Sequence, residues 1–136
     1  MSIVTKESEL TDVGVCQQQI DELVILHSAI CGALVSTIDG FEVAASIPDS
    51  VSAAKVSAMT SSLLALSGAI SNESGAGECR DITIDSSAGR ILLMDIPHAD
   101  RQLLLTVLCD TQATLGQALW AARRCRDEIG VRLTPR

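Results

Sequence analysis

Two histidines, five cysteines and a set of strand-borne aspartates are the residues of this chain whose types allow chemistry. His27 and Cys31 have the spacing of two ligands on one helix face, but the helix that would carry them is expected to end between them, near Ser28. His27 closes an amphipathic helix, where a cation also suits the dipole. His98 lies in Pro97-His98-Ala99-Asp100-Arg101 and reads as a solvated turn residue. A nucleophile needs a base within hydrogen-bond reach, and there is no G-x-S-x-G elbow, no H-E-x-x-H and no paired Cys/His set. Asp81, Asp85 and Asp95 are candidates for an acid pair or a divalent metal site across a hairpin, against the commoner reading of exposed strand carboxylates. The two glycines of the 72–78 stretch NESGAGE suggest a phosphate cradle. Such cradles open onto a helix N-terminus, whereas a strand follows here, and acidic residues flank the loop. The residues therefore point to no catalytic, cofactor-binding or metal site, and to a protein that is not an enzyme.

Composition narrows the partners. Hydrophobic residues make up 47% of the 136, yet the rings are only Phe41 and Trp120, so the core must be aliphatic and few side chains can stack on bases. A formal net charge of −7 excludes a phosphate-binding surface of the nucleic-acid type and favours a partner with basic patches. Cys16, Cys31, Cys79, Cys109 and Cys125 are scattered through apolar runs with no C-x-x-C pair, which fits a reducing cytoplasm better than a disulfide framework. The opening MSIVTKESEL lacks a basic region followed by an apolar core, so no secretory signal is expected. Asn72-Glu73-Ser74 matches the glycosylation pattern, which has no meaning without export.

The length suits one domain over 1–136, with a core at about 10–130 between polar tails. Residues 1–7 are expected to fray. From Ser8 or Thr11, the residues Leu10, Val13, Cys16, Ile20, Leu23 and His27 fall on one side of a first helix. The apolar run from Ile30 to Thr37, the Asp39-Gly40 turn and the return from Phe41 to Ser46 predict a hairpin with a type I′ turn. Asp49 or Ser50 then caps a central helix. Cys79 to Asp85 alternates like an edge strand, Arg90 to Ile96 and Leu103 to Leu108 are apolar strands, and Asp110 or Thr111 caps a last helix ending at Gly130. The order is α-β-β-α-β-β-β-α: an α+β fold with a five-stranded antiparallel sheet flanked by three helices. A helix about 10 Å wide covers roughly two strands. With two helices on one face, the central helix leaves the other partly bare, and a second copy would complete it.

That central stretch, VSAAKVSAMTSSLLALSGAI, carries two stripes. Val56, Met59, Leu63, Leu66 and Ile70 form a greasy face expected to pack on the sheet. Ala54, Ala58, Ser61, Ala65 and Gly68 form a small-residue face, as expected where another backbone comes very close. Its serines and Lys55 argue against insertion into a membrane.

The run Gly32-Ala33-Leu34-Val35-Ser36-Thr37-Ile38-Asp39-Gly40-Phe41-Glu42-Val43-Ala44-Ala45-Ser46 resembles the first hairpin of the roadblock/dynein light chain family. The segments AAKVSAMTSSLLALSGAI, GECRDITI, ILLMDI, LLLTVL and LGQALWAARRCRDEI resemble its bacterial members in the same order. The resemblance implies a roadblock-like, profilin-like domain that dimerises, with central helices antiparallel and third strands paired into a continuous sheet. It also implies a homodimeric, non-catalytic regulator or scaffold of a small Ras-like GTPase, or alternatively a purely structural subunit without effect on GTP hydrolysis. Carried onto this chain, the dimer seam comprises Ala54, Ala58, Ser61, Ala65 and Gly68 of the helix with Cys79, Asp81 and Thr83 of the strand. Ser52, Lys55 and Ser62 are the expected GTPase-facing positions.

Overall fold

The structure, a computed structural model, describes residues 3–135, with side chains from Leu10 onward. The elements are α1 (Ile3–Leu26), β1 (Ile30–Thr37), β2 (Glu42–Ser46), α2 (Ala53–Glu73), β3 (Asp81–Ser86), β4 (Gly89–Ile96), β5 (Leu103–Cys109) and α3 (Leu115–Arg132). The expected α-β-β-α-β-β-β-α order is the observed one. All neighbours in the sheet are antiparallel and run β2-β1-β5-β4-β3, so β1 pairs with β5 to join the two hairpin units. β2 and β3 are the two open edges.

The side-chain period of two divides each strand between two faces. Ala33, Val35, Ala44, Leu92, Met94, Ile96, Leu103, Leu105 and Val107 face α1 and α3, and with Cys16, Ile20, Ala122, Cys125 and Ile129 they make an aliphatic core. α1 crosses β1 and β2, while α3 crosses β4 and β5. On the opposite face α2 lies over β1 and β2. Ile82, Ile84 and Ile91 on that side remain only half-buried.

Several local expectations are corrected. α1 starts at Ile3 rather than at Ser8 or Thr11, since no Gly or Pro interrupts the early residues. Its buried stripe is Asp12, Cys16, Gln19, Ile20 and Leu23; Leu10 and Val13 turn outward. The rotation brings the Asp12 carboxylate, 1% exposed, against the Arg101 guanidinium in the β4–β5 connection. Its other oxygen accepts the Thr134 backbone N–H at 2.9 Å. One buried carboxylate thus ties together the middle of α1, the β4–β5 connection and the chain after α3. The β1–β2 turn has one positive φ, Gly40 at 94°, instead of the two of a type I′ turn, and the ladder shifts register between Val35 and Ser36. That is a bulged connection needing one glycine. Ser52 caps α2, accepting the Lys55 N–H at 3.2 Å, because the Val51 N–H closes a preceding turn on Pro48. Thr114 caps α3; Asp110 instead accepts the Gln112 N–H at 2.8 Å in a local turn.

Gly130 does not end α3 but lies within it, against the β4–β5 connection. A Cβ there would stand 2.4 Å from the Pro97 carbonyl oxygen. Gly130→Ala is expected to destabilise by about 1–3 kcal/mol although alanine is the better helix former, because backbone must move to admit the methyl. Gly14 in α1 has open space around it, and Gly14→Ala is expected to stabilise by about 0.5–1 kcal/mol. Thermal unfolding of the two variants should give shifts of opposite sign.

Candidate functional site

α2 has the feature that most calls for a partner. Its buried residues are Ser57 and Thr60, not the greasy stripe. Val56 and Leu63 are half-buried, while Met59, Leu66 and Ile70 are 66%, 61% and 58% exposed, so the expected packing of that whole stripe on the sheet is overturned. Small hydroxyl residues let the helix sit close to the sheet and to the β1–β2 turn, where Ser61 donates its hydroxyl to the Ile38 carbonyl. The seat is poorly matched in polarity. Ser57 Oγ on the helix and Ser36 Oγ and Thr106 Oγ1 on the same face of the sheet are buried without a hydrogen-bond partner among the described residues. The outward face carries Ala58, Met59, Ala65, Leu66, Ala69 and Ile70, an apolar patch on a fixed helix. By length and composition alone α2 would also cross a membrane.

The expected seam residues divide. Ala54, Ala58 and Ala65 are exposed on this face, as are Ser52, Lys55 and Ser62. Ser61 and Gly68 are half-buried, and the Ser61 hydroxyl is used within the chain. Ser52 is occupied as the helix cap, and Ser62 donates to the Ala58 carbonyl at 3.3 Å. On the edge strand, Thr83 is exposed and Cys79 precedes β3. Asp81 points to the α3 side, where its carboxylate accepts from Arg123 Nη2 at 2.7 Å and Arg126 Nη1 lies 3.5 Å away.

The acid pair considered for Asp81, Asp85 and Asp95 does not form. Asp81 is held by Arg123 and Arg126, Asp85 by Arg90 at 2.7 Å, and Asp95 stands on the other face of the sheet from Asp81. Burial, then Glu78, raises the Asp95 carboxyl above its ordinary value. Among the described residues no His, Cys, Asp and Glu group is arranged to hold a metal ion. His98 Nδ1 accepts the Asp100 N–H at 3.1 Å, as a turn residue does. His27 follows α1 and lines a groove of about 530 Å³ with Leu26 and Trp120, a feature without a sequence signal because it joins the end of α1 to the start of α3.

The thiols are equally quiet. Burial pushes Cys16 up to about 11, with Asp12 adding and Arg101 opposing, and pushes Cys125 up to about 12, with Cys16 and Glu22 adding. Burial, then Cys31, also raises Cys109. Cys31 alone among the five is exposed. A thiol reagent at pH 8 is expected to label Cys31 fast, Cys79 slowly and the other three only after denaturation; rapid labelling of Cys16 or Cys125 would contradict this packing. The raised values also set a sign. Up to the ordinary thiol value of 9.0 they leave stability unchanged; above it the unfolded chain ionises first, so stability should fall as pH rises toward 11–12.

The profile of the Roadblock/LC7 domain matches residues 17–108. An uncharacterized protein of Methanocaldococcus jannaschii is 30% identical over 100 residues, which cover 74% of this chain and 84% of that protein. The fold is similar to that of MglB from Myxococcus xanthus, with TM-score 0.78 and 12% identity, covering 91% of this chain and 93% of that one. It is likewise similar to the gliding protein MglB from Thermus thermophilus, with TM-score 0.75 and 14% identity over 88% and 89% of the two chains. With the profile spanning the first hairpin, the outward-facing helix and the three strands that follow it, this chain belongs to the Roadblock/LC7 domain family.

Proposed function

We propose that this protein is a cytoplasmic homodimer that regulates or scaffolds a small Ras-like GTPase without performing catalysis itself. The observation that carries this reading is the outward apolar face of α2, fixed on a folded domain of the Roadblock/LC7 family. Contiguous exposed apolar surface of this kind marks an interaction site. The half-covered Ile82, Ile84 and Ile91 beside it, with β3 open at the sheet edge, support a second copy as the first occupant. In this reading α2 faces protein rather than lipid. Ala54, Ala58, Ser61, Ala65 and Gly68, with Cys79, Asp81 and Thr83, lie in or beside the seam. Ser52, Lys55 and Ser62 border the surface offered to the GTPase.

The arginines bear on the mode of action. Arg90, Arg101, Arg123, Arg126 and Arg132 are in ion pairs within the chain and Arg124 lies 5.5 Å from the centre of the Trp120 ring, whereas Arg80, just before β3, is exposed and in no ion pair among the described residues. With most arginines engaged within the chain, stimulation of hydrolysis would act by ordering the GTPase's own switch loops, and Arg80→Ala should leave it intact. The same observation favours a second reading, a structural subunit that binds without changing turnover. Mixing the protein with a small Ras-like GTPase from the same genome separates them. Light scattering should show a complex larger than the dimer, and GTP turnover should change in the first reading and stay constant in the second. A monomeric mass, or no complex with GDP-loaded or GTP-analogue-loaded GTPase, would refute the proposal.

A further inference from the structure

Phe41 is one of two rings in the chain and stands 70% exposed at the tip of the β1–β2 turn. The turn that carries it is held on all sides. The Thr37 N–H donates to the Phe41 carbonyl at 2.8 Å, the Phe41 N–H to Thr37 Oγ1 at 3.1 Å and the Gly40 N–H to the Thr37 carbonyl at 3.0 Å. Gly40 takes the left-handed φ that the bend requires, and its open α-carbon lies against α2; a Cβ there would come within 3.2 Å of Ala58 Cα. Ser61 of α2 donates to Ile38, so turn and helix form one surface. Exposed Ile38 and Phe41 stand on the turn that borders α2 at Ala58. A ring on an immobilised turn loses little conformational freedom on binding, the condition under which an aromatic side chain anchors an interface.

Charge selects the occupant. Asp39 and Glu42, on either side of the ring, are exposed and make no ion pair among the described residues. Pairing two copies through this turn would set Asp39 and Glu42 against the same acidic residues, so the twin's turn is a poor match for this collar. We infer that Phe41 is an anchor for the GTPase rather than for the twin, entering an apolar socket rimmed by Lys or Arg on that partner. The inference rests on the GTPase reading proposed above and adds to it the residue, and the partner chemistry, at one end of the α2 surface.

The test uses the full chain and the same-genome GTPase, loaded with GDP or with a non-hydrolysable GTP analogue. Phe41→Ala should weaken binding at least about tenfold while dimer mass and thermal unfolding stay as in the parent, and Phe41→Trp should restore it. Asp39→Lys with Glu42→Lys should also weaken binding and flatten its salt dependence. If Phe41→Ala binds with less than that loss, the anchor is refuted and the GTPase reading stands. If Phe41→Ala instead lowers the dimer mass, the ring belongs to the contact between copies and the inference is overturned. If the parent binds neither loaded form, the proposed function and the anchor fall together.

Discussion

Asp12→Ala is expected to lower folding stability by about 3–5 kcal/mol, the largest loss from a single side chain away from the interaction surface. Arg101 packs against this carboxylate with only 12% of its side chain exposed, and without Asp12 its charge would remain buried and unpaired. The Thr134 N–H would lose its acceptor as well. Asp12→Asn keeps the shape and an acceptor for Thr134 but removes the charge, so it should recover part of the loss, and Asp12→Ala with Arg101→Met should recover more than either single change implies. Denaturant unfolding of the parent, these three variants and Arg101→Met alone measures this. A loss below about 1 kcal/mol in Asp12→Ala would mean that the pair is solvated and that α1 is not pinned there.

Ala65→Arg is expected to convert the proposed dimer to a monomer, with the largest effect on association of any single change. Ala65 is exposed on the outward face, two turns after Ala58 and one turn before Ala69, so the long side chain is tolerated by the isolated fold. Pairing at that face would force a desolvated, unpartnered guanidinium against apolar neighbours, at a cost of several kcal/mol or about a thousandfold in affinity. Light scattering gives the mass and circular dichroism the fold. Ala58→Arg should act alike, while Gly14→Arg, on open surface of α1, should leave the mass unchanged. A dimer that survives both alanine replacements would place the seam elsewhere.

Much of this architecture is legible in the residues. β1 reads directly as Ile30 to Thr37 because an apolar run lies between Ser28 and the Asp39-Gly40 turn, and the observed strand has those bounds. α2 is equally legible as a helix, but not its rotation. Its apolar, small and hydroxyl residues lie on adjacent faces, and which one turns inward depends on how closely the helix approaches β1 and β2. The hydroxyl spacing of Ser57, Thr60, Ser61 and Ser67 was the available sign of a close, narrow seat. Asp12 is illegible for a different reason, since the arginine that permits its burial is 89 residues away. The caps shift by two to four positions because Asp49, Ser50, Asp110 and Thr111 all have capping side chains. Only the turns they enter decide among them.

The three unpartnered hydroxyls beneath α2 have a thermodynamic consequence for how the protein is handled. Hydroxyls hidden under a helix whose methyl groups face water leave α2 weakly seated, and in the proposed dimer a second surface would cover its outward face. Association then stabilises the native state by mass action, so the midpoint of thermal unfolding should rise with protein concentration. Dilution alone would loosen α2 before it disturbs β4 and β5. For the proposed dimer, the amount of protein present is part of what sets the stability of the fold.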